Sequence, residues 1–410
     1  MYILNYTIIP GGNATSPEGF KAGSVHTGIK KDKDDLVILY SEYPTVATAV
    51  FTQNLAAAAP VQISREVFQQ QDVRAVLINS GNANACTGHK GLEDARLTQQ
   101  KAAEALSLKP HQVALASTGV IGLPLPMDKL LAGIPKVAEA LNEKGGAQAA
   151  EGIMTTDTNP KVMAVSTTIN GKPVTIGGMA KGSGMINPNM ATMLGFVTTD
   201  AAVDPAYLNQ VFKEIVADTY NMITVDGDTS TNDTVMILAG GDAGNEVIDK
   251  NHPEEAKFRE ALFAVNQHLA VSIVKDGEGA TKLIETVTEG FATKEDARMA
   301  AKAVLNSNLV KTAIFGEDGN WGRMICSLGY SGAVFDLNQV ALLLGNGQDQ
   351  WVQVLEKGLP LDYDEDKVAE VLKDKLVKIH IKAGAGKASA RGWGCDFSYD
   401  YVKINGSYRS

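Results

Sequence analysis

Cysteine is scarce and scattered in this chain. The 410 residues hold three, Cys86, Cys326 and Cys395, with no CxxC or Cys/His spacing, which argues against a disulfide framework and against a zinc site. The six histidines occur singly, leaving no obvious histidine for a Ser-His-Asp arrangement. Basic clusters are missing too. With 37 Lys and Arg against 47 Asp and Glu, the net charge is -10, so neither nucleic acid nor an anionic membrane surface is an expected partner. No apolar run approaches the ~18 residues of a membrane span, and Met1 to Tyr6 lacks the basic region and apolar core of a leader. A cytoplasmic protein acting on small molecules is expected. What the chain has in excess is glycine, 40 residues, which predicts many tight turns and close backbone approaches. The length predicts roughly two to three domains, with ample chain for a core.

Along the chain, short apolar segments alternate with helical periodicity. Strands are predicted at 36–40 and 45–52. A third, at 73–78, leads into the polar loop 79–88 and a helix from about Leu92 to Leu106, with Leu92, Ala95, Ala102, Ala103 and Leu106 on one face. The strand at 113–116 stops at Ser117-Thr118-Gly119-Val120-Ile121-Gly122, and a helix covers about 127–141. Strand, polar glycine loop and helix, twice over, is α/β or α+β organisation, in which small polar loops at strand ends are where ligands bind. Residues 144–147 read as a connection. Residues 161–169 and 172–179 form a hairpin through Asn170-Gly171. Asp204 is expected to cap a helix that has Pro205 in its first turn and buries Leu208, Val211, Phe212, Ile215 and Val216. A strand follows at 235–239, with further helices at 254–269, 294–307 and 364–373, and further strands at 282–288, 310–315 and 378–382.

The centre of the chain reads Ala180-Lys181-Gly182-Ser183-Gly184-Met185-Ile186-Asn187-Pro188-Asn189-Met190-Ala191-Thr192-Met193-Leu194. A glycine-rich turn and a Pro-bearing bend lead into the apolar run from Met193 to Val197, which reads as a buried strand. Thr192 stands at the entrance of that strand, where a turn exposes an Oγ and a strand fixes its position. On these residues alone two readings stay open, a Gly/Pro loop before a core strand or the seat of a nucleophile. Without histidine, a hydroxyl nucleophile needs another base. Its own α-amine, with a reference pKa of about 7.7–8.0, serves if the residue is N-terminal. That requires a cut between Ala191 and Thr192, which Thr192 Oγ could make by attacking the Ala191 carbonyl. Two other patterns fail on their chemistry. Residues 226–233 echo a calcium loop but place Thr231 where glycine is required. Gly384-Ala385-Gly386-Lys387-Ala388 echoes a phosphate loop without its first glycine or its Ser/Thr.

The stretch from Lys181 to Leu194 resembles the self-cleavage motif of the ornithine acetyltransferase family, the glutamate N-acetyltransferases of arginine biosynthesis. Residues 79–88 and 117–122, Met154-Thr155-Thr156-Asp157-Thr158, residues 226–233, Asp276-Gly277-Glu278-Gly279, Gly319-Asn320-Trp321-Gly322-Arg323 and residues 404–410 are similar to further motifs of that family, in order, from Pro10 to the C-terminus. The resemblance implies a layered α/β fold, an αββα sandwich with Thr192 as N-terminal nucleophile and a smaller C-terminal α/β domain. Residues 1–191 and 192–410 would be the two cleavage products, with about 192–280 completing the nucleophile core and about 281–410 forming the C-terminal domain. It further implies acetyl transfer from N2-acetyl-L-ornithine to L-glutamate by a ping-pong route through an acetyl ester of Thr192. Thr118 and Gly119 would form the oxyanion hole, and Thr155, Lys181, Thr192, Glu278, Asn405 and Ser410 would contact substrate. Lys181 is expected to meet the α-carboxylate and Glu278 the side-chain ammonium. Neither a metal nor a bound cofactor is implied, acetyl-CoA stays open as a second acetyl donor, and an α2β2 assembly is expected. Two competitors stand beside this: an amidase or aminopeptidase using the same threonine with water as acceptor, and a binding protein that never cleaves.

Overall fold

The computed structural model describes residues 4–70, 72–187 and 193–406. In the first half, β1 (Tyr6–Ile8), β2 (Phe20–Val25), β3 (Leu36–Ser41) and β4 (Val46–Phe51) precede α1 (Ala59–Phe68). Then come β5 (Ala75–Asn82), α2 (Gly88–Leu106), β6 (Val113–Val120), α3 (Met127–Glu139), α4 (Gly146–Gly152) and the hairpin of β7 (Lys161–Ile169) and β8 (Lys172–Lys181). The second half opens on β9 (Leu194–Thr199), α5 (Pro205–Asp218), β10 (Ile223–Thr224), β11 (Thr234–Ala239) and α6 (Glu255–Lys275). It continues with β12 (Leu283–Phe291), α7 (Lys294–Asn306), α8 (Asn308–Phe315), α9 (Trp321–Gly329), β13 (Ala341–Asn346), β14 (Trp351–Glu356) and β15 (Leu359–Pro360). It ends with α10 (Glu365–Leu372), β16 (Leu376–Lys382), β17 (Ala388–Cys395) and α11 (Tyr399–Asn405). No described helix is long and apolar enough to cross a membrane.

Strands β9 and β11 show how the sequence builds the centre. All six residues of each are buried, and successive side chains on a strand point to opposite faces. Leu194, Phe196, Met236 and Leu238 pack with Val37, Leu39, Val76 and Ile78 of the neighbouring sheet. Val197, Val235 and Ile237 pack with Leu208 and Phe212 of α5 and Leu262 and Leu269 of α6. A strand covered on both faces needs an unbroken apolar run, which is what these segments supply. The resulting six-stranded sheet has the order β1-β7-β8-β9-β11-β4, and the four-stranded sheet facing it has the order β2-β3-β5-β6. Helices α5 and α6 cover the outer face of the first sheet, and α2 and α3 cover the second. The layering is αββα, as the family resemblance implies. A seven-stranded sheet, β10-β17-β12-β16-β13-β14-β15, holds a further core with α7 to α10.

Local signals hold where they are chemically specific. Asp204 caps α5, accepting from the Tyr207 N–H at 2.9 Å, and the five residues expected to be buried on that helix are buried. Three expectations are corrected. Residues 310–315 form most of helix α8 rather than a strand. Val310, Ala313 and Ile314 are buried while Leu309 is exposed, a helical period, and the Ser307 hydroxyl caps the helix by accepting from the Val310 N–H at 3.3 Å. The connection at 144–147 enters helix α4, whose glycines serve close packing: a Cβ at Gly146 would lie 1.9 Å from Asn13 Oδ1, and one at Gly152 2.4 Å from Ser24 Oγ. Strands β5 and β6 run on to Asn82 and Val120, past the ends at Ile78 and Ala116 that their polar residues suggested, because the two pair in parallel through that polar stretch.

Phe196 is the largest side chain of β9 and is fully buried between the two sheets. Phe196→Ala is expected to cost about 3–5 kcal/mol of stability through lost burial and the cavity left behind, read as a lowered midpoint in chemical denaturation.

Candidate active site

A cavity of about 130 Å³ opens where β6, β8, β9 and β11 come together, and Thr118, Gly119, Thr155, Lys181, Glu278 and Asn405 all line it. Six of the nine residues singled out in the sequence thus converge from five separate segments. The other three, Ala191, Thr192 and Ser410, lie outside the described residues. Met193 and Leu194, which follow Thr192 in the chain, form part of the wall.

Register explains the meeting. Lys181, the last residue of β8, is the antiparallel partner of Leu194, and Thr234 pairs with Leu194 from the other side in parallel. Asp233 and Asn232, just before β11, therefore reach the same cavity. Thr118 and Gly119 arrive from the facing sheet, not on a free turn but inside β6, where the pairing with β5 is irregular around Gly81 and Asn82. Glycine is required there. Gly119 has φ +135°, and a Cβ on it would lie 2.3 Å from the Gly81 carbonyl carbon. Asn232 fixes the junction by donating to the carbonyls of Ala83 at 2.6 Å and Ser117 at 2.9 Å.

The loop before the undescribed residues is tied down as well. Asp226 accepts the N–H of Met185 at 2.6 Å and of Ile186 at 2.8 Å, and Asn187 donates to the Gly227 carbonyl at 2.9 Å. On the far side the Met193 carbonyl accepts from the Thr234 N–H at 3.0 Å. Asp226 also accepts from the Tyr401 hydroxyl at 3.1 Å, so α11 is held to the same loop and brings Asn405 to donate to Glu278 Oε2 at 2.8 Å.

Electrostatics centre on Lys181, whose ammonium is almost wholly buried. It donates to Thr155 Oγ1 at 2.8 Å and to Thr118 Oγ1 at 3.3 Å, with Asp157 Oδ2 at 3.8 Å. Burial pulls the Lys181 ammonium below its ordinary range, and the Asp157 charge opposes that pull. Burial would raise the Asp157 carboxyl, but Lys181 and Lys161 overcome it and hold the group well below the usual carboxylate range. Lys161 in turn bridges Asp157 and Asp276, at 2.7 Å each. Asp157, Lys161 and Asn232 were not singled out from the sequence as site residues, although Asp157 and Asn232 fall inside the motifs that carry the family resemblance. Among the described residues no group of three or more His, Cys, Asp or Glu side chains is placed to hold a metal ion.

Chemically the cavity offers the Thr118 hydroxyl and the backbone of β6, a buried cation, a carboxylate paired with an amide, and the entrance of β9, two residues after Thr192 in the sequence. Comparison with known proteins places it. A model of the ArgJ family matches residues 21–410. The arginine biosynthesis bifunctional protein ArgJ of Symbiobacterium thermophilum is 54% identical over 402 residues, covering 97% of this chain and 99% of that protein. Its namesake from Caldanaerobacter subterraneus subsp. tengcongensis is 52% identical over 399 residues, again 97% and 99% of the two chains. The crystal structure of the arginine biosynthesis bifunctional protein from Bacillus halodurans is similar with a TM-score of 0.50 and 44% identity, over 53% of this chain and 100% of that one. With a family match across nearly its whole length and relatives more than half identical over almost all of theirs, this chain belongs to the ArgJ family.

Proposed function

We propose that this chain is an acetyltransferase of arginine biosynthesis that frees Thr192 by self-cleavage and then moves an acetyl group from N2-acetyl-L-ornithine to L-glutamate. The observation that carries the reading is the convergence of Thr118, Gly119, Thr155, Lys181, Glu278 and Asn405 on one cavity at the entrance of β9. In the cleavage, Thr192 Oγ attacks the Ala191 carbonyl carbon, the C–N bond breaks to leave an ester and a free amine, and water hydrolyses the ester. The same hydroxyl, with the new α-amine as base, then attacks the acetyl carbonyl of the donor. The Thr118 O–H and Gly119 N–H stabilise the oxyanion. The donor's nitrogen leaves as ornithine, carrying the proton that the amine returns, and the α-amine of glutamate attacks the ester to release N-acetylglutamate.

The charges suit these substrates. An ammonium has three donors, and the Lys181 ammonium gives two of them to Thr155 and Thr118, leaving one for a substrate α-carboxylate. Glu278 offers its carboxylate to the ornithine ammonium, and Asn405, already hydrogen-bonded to it, offers an amide to the glutamate side chain. Two features support the cut. The Bacillus halodurans chain matches along all of its length over 53% of this one, about 217 of the 410 residues, half-length as a cleavage product would be. Pairing of β8 with β9 and of β4 with β11 gives residues 1–191 and 192–410 a shared sheet, so the pieces stay together once cut. We place two such pairs in an α2β2 assembly in the cytoplasm, and light scattering should then read twice 43.4 kDa. The word bifunctional in the relatives' names supports acetyl-CoA as a second donor to the same threonine, which an assay with acetyl-CoA as sole donor tests.

Mass spectrometry of the products from N-acetylornithine and glutamate is expected to show N-acetylglutamate; free acetate in its place would establish the amidase reading. Thr192→Ala should abolish both cleavage and turnover, leaving one band near 43.4 kDa on a denaturing gel, and retained activity would show that another residue attacks. Thr118→Val removes one oxyanion donor and should lower kcat about 10²–10³-fold, or about 2.7–4 kcal/mol, with cleaved protein still recovered.

A further inference from the structure

We propose that Asp157 is a positioning residue for acyl transfer, its buried carboxylate gathering the Thr155 amide, the Gly182 amide and the Lys181 ammonium so that the Thr118 hydroxyl is turned toward the reacting carbonyl. The proposal rests on the acetyl-transfer reading above. Asp157 Oδ2 accepts from the Thr155 N–H at 3.0 Å, and Oδ1 accepts from the Gly182 N–H at 2.6 Å. The Asp157 side chain is fully buried and that of Lys161 is 2% exposed. Lys161, on β7, carries the hold further, because it also donates to Asp276, which accepts from the Thr158 N–H at 2.9 Å and stands two residues before Glu278. A single carboxylate thus joins the Thr155 loop, the end of β8 and, through Lys161, the turn that bears Glu278.

The chemical need follows from what an ammonium is. It donates and never accepts, so while Lys181 is charged the Thr118 oxygen accepts from it and the Thr118 hydrogen is free to point elsewhere. A neutral amine would accept that hydrogen and turn it away from an oxyanion. Lys181 must therefore stay protonated in a buried place, where desolvation favours the neutral form. The charged groups facing it are Asp157, Glu278 and Asp233, which favour the ammonium, and Lys161, which opposes it. Asp157 is the strongest of these.

Removing the Asp157 charge lowers the pH at which Lys181 loses its proton, so the alkaline limb of the kcat profile moves to lower pH. Asp157→Asn keeps the size and part of the hydrogen bonding. With rates normalised to the cleaved fraction by mass spectrometry, kcat should fall about tenfold or more, a part of what loss of an oxyanion donor costs. KM for N-acetylornithine should rise as well at pH values where Lys181, which meets the α-carboxylate, loses its charge, and the alkaline limb of kcat should shift downward. Should that variant fail to fold, Asp276→Asn removes a charge from the more exposed end of the same chain and should shift the limb in the same direction by less. A folded Asp157→Asn with unchanged kcat and an unmoved limb, only its melting temperature lowered, would show a purely structural ion pair and overturn the proposal. Wild-type enzyme that makes no N-acetylglutamate would overturn the acyl-transfer reading instead, and the two failures are read from separate reactions.

Discussion

Strand β9 is gripped on both edges, and the cavity depends on that grip. On one side β8 pairs with it antiparallel over six residues, and on the other β11 pairs with it in parallel over six. Both neighbours end at the cavity, β8 with Lys181 and β11 with the Asn232-Asp233 pair that precedes it. The position of every group contributed by the six-stranded sheet is therefore fixed relative to Met193 by backbone hydrogen bonds. These ladders run through Leu194 to Thr199 and do not involve the peptide proposed to be cut. A strand held by two ladders and covered on two faces keeps its place when the chain before it is cut, which is the physical condition that the proposed self-cleavage requires.

A buried lysine is the second requirement, and it needs a neutral surrounding. Taking an ammonium out of water costs several kcal/mol, offset only when an opposite charge and good hydrogen bonds are present. The series Lys181, Asp157, Lys161, Asp276 alternates in sign along its length, so its net charge is zero. Each carboxylate also takes backbone N–H donors, at Thr155 and Gly182 for Asp157 and at Thr158 for Asp276. Such an arrangement fixes loops as well as charges. It is why the turn with Glu278, the loop with Thr155 and the end of β8 come to one point although they are far apart in sequence.

Much of this was legible in the residues, and the limits are instructive. The run from Met193 to Val197 and the hairpin at Asn170-Gly171 declare themselves because period and turn chemistry are local. The place of Thr118 and Gly119 at the cavity was legible only through resemblance to a family, since Ser117-Thr118-Gly119 alone reads as an ordinary strand end, and in fact the strand continues through it. The ion series was not legible at all, because Lys161 and Asp276 are 115 residues apart and no local pattern reports a pair across such a distance. Residues 310–315 misled for a different reason. Val310, Ile314 and Phe315 favour strands by propensity, yet the Ser307 cap and the spacing of Val310, Ala313 and Ile314 decide for helix, as tertiary context often does.

The excess of glycine takes on a specific meaning at the cavity. Gly119 lets β5 and β6 approach within a distance that a Cβ would forbid, at 2.3 Å from Gly81. Gly184 does the same for Glu278, whose carboxylate oxygen would lie 2.3 Å from a Cβ added there. Two walls of the cavity are thus made of bare backbone, one beside Thr118 and one beside the Glu278 carboxylate. A side chain at 119 would collide with the backbone of Gly81 and Asn82, and one at 184 with the Glu278 carboxylate. Backbone walls keep the donors of β6 and the carboxylate after α6 within reach of one small molecule, and they do so without side-chain freedom to be lost on binding. In this chain glycine sets the size of the cavity, while the ion series behind it ties together the segments that line it.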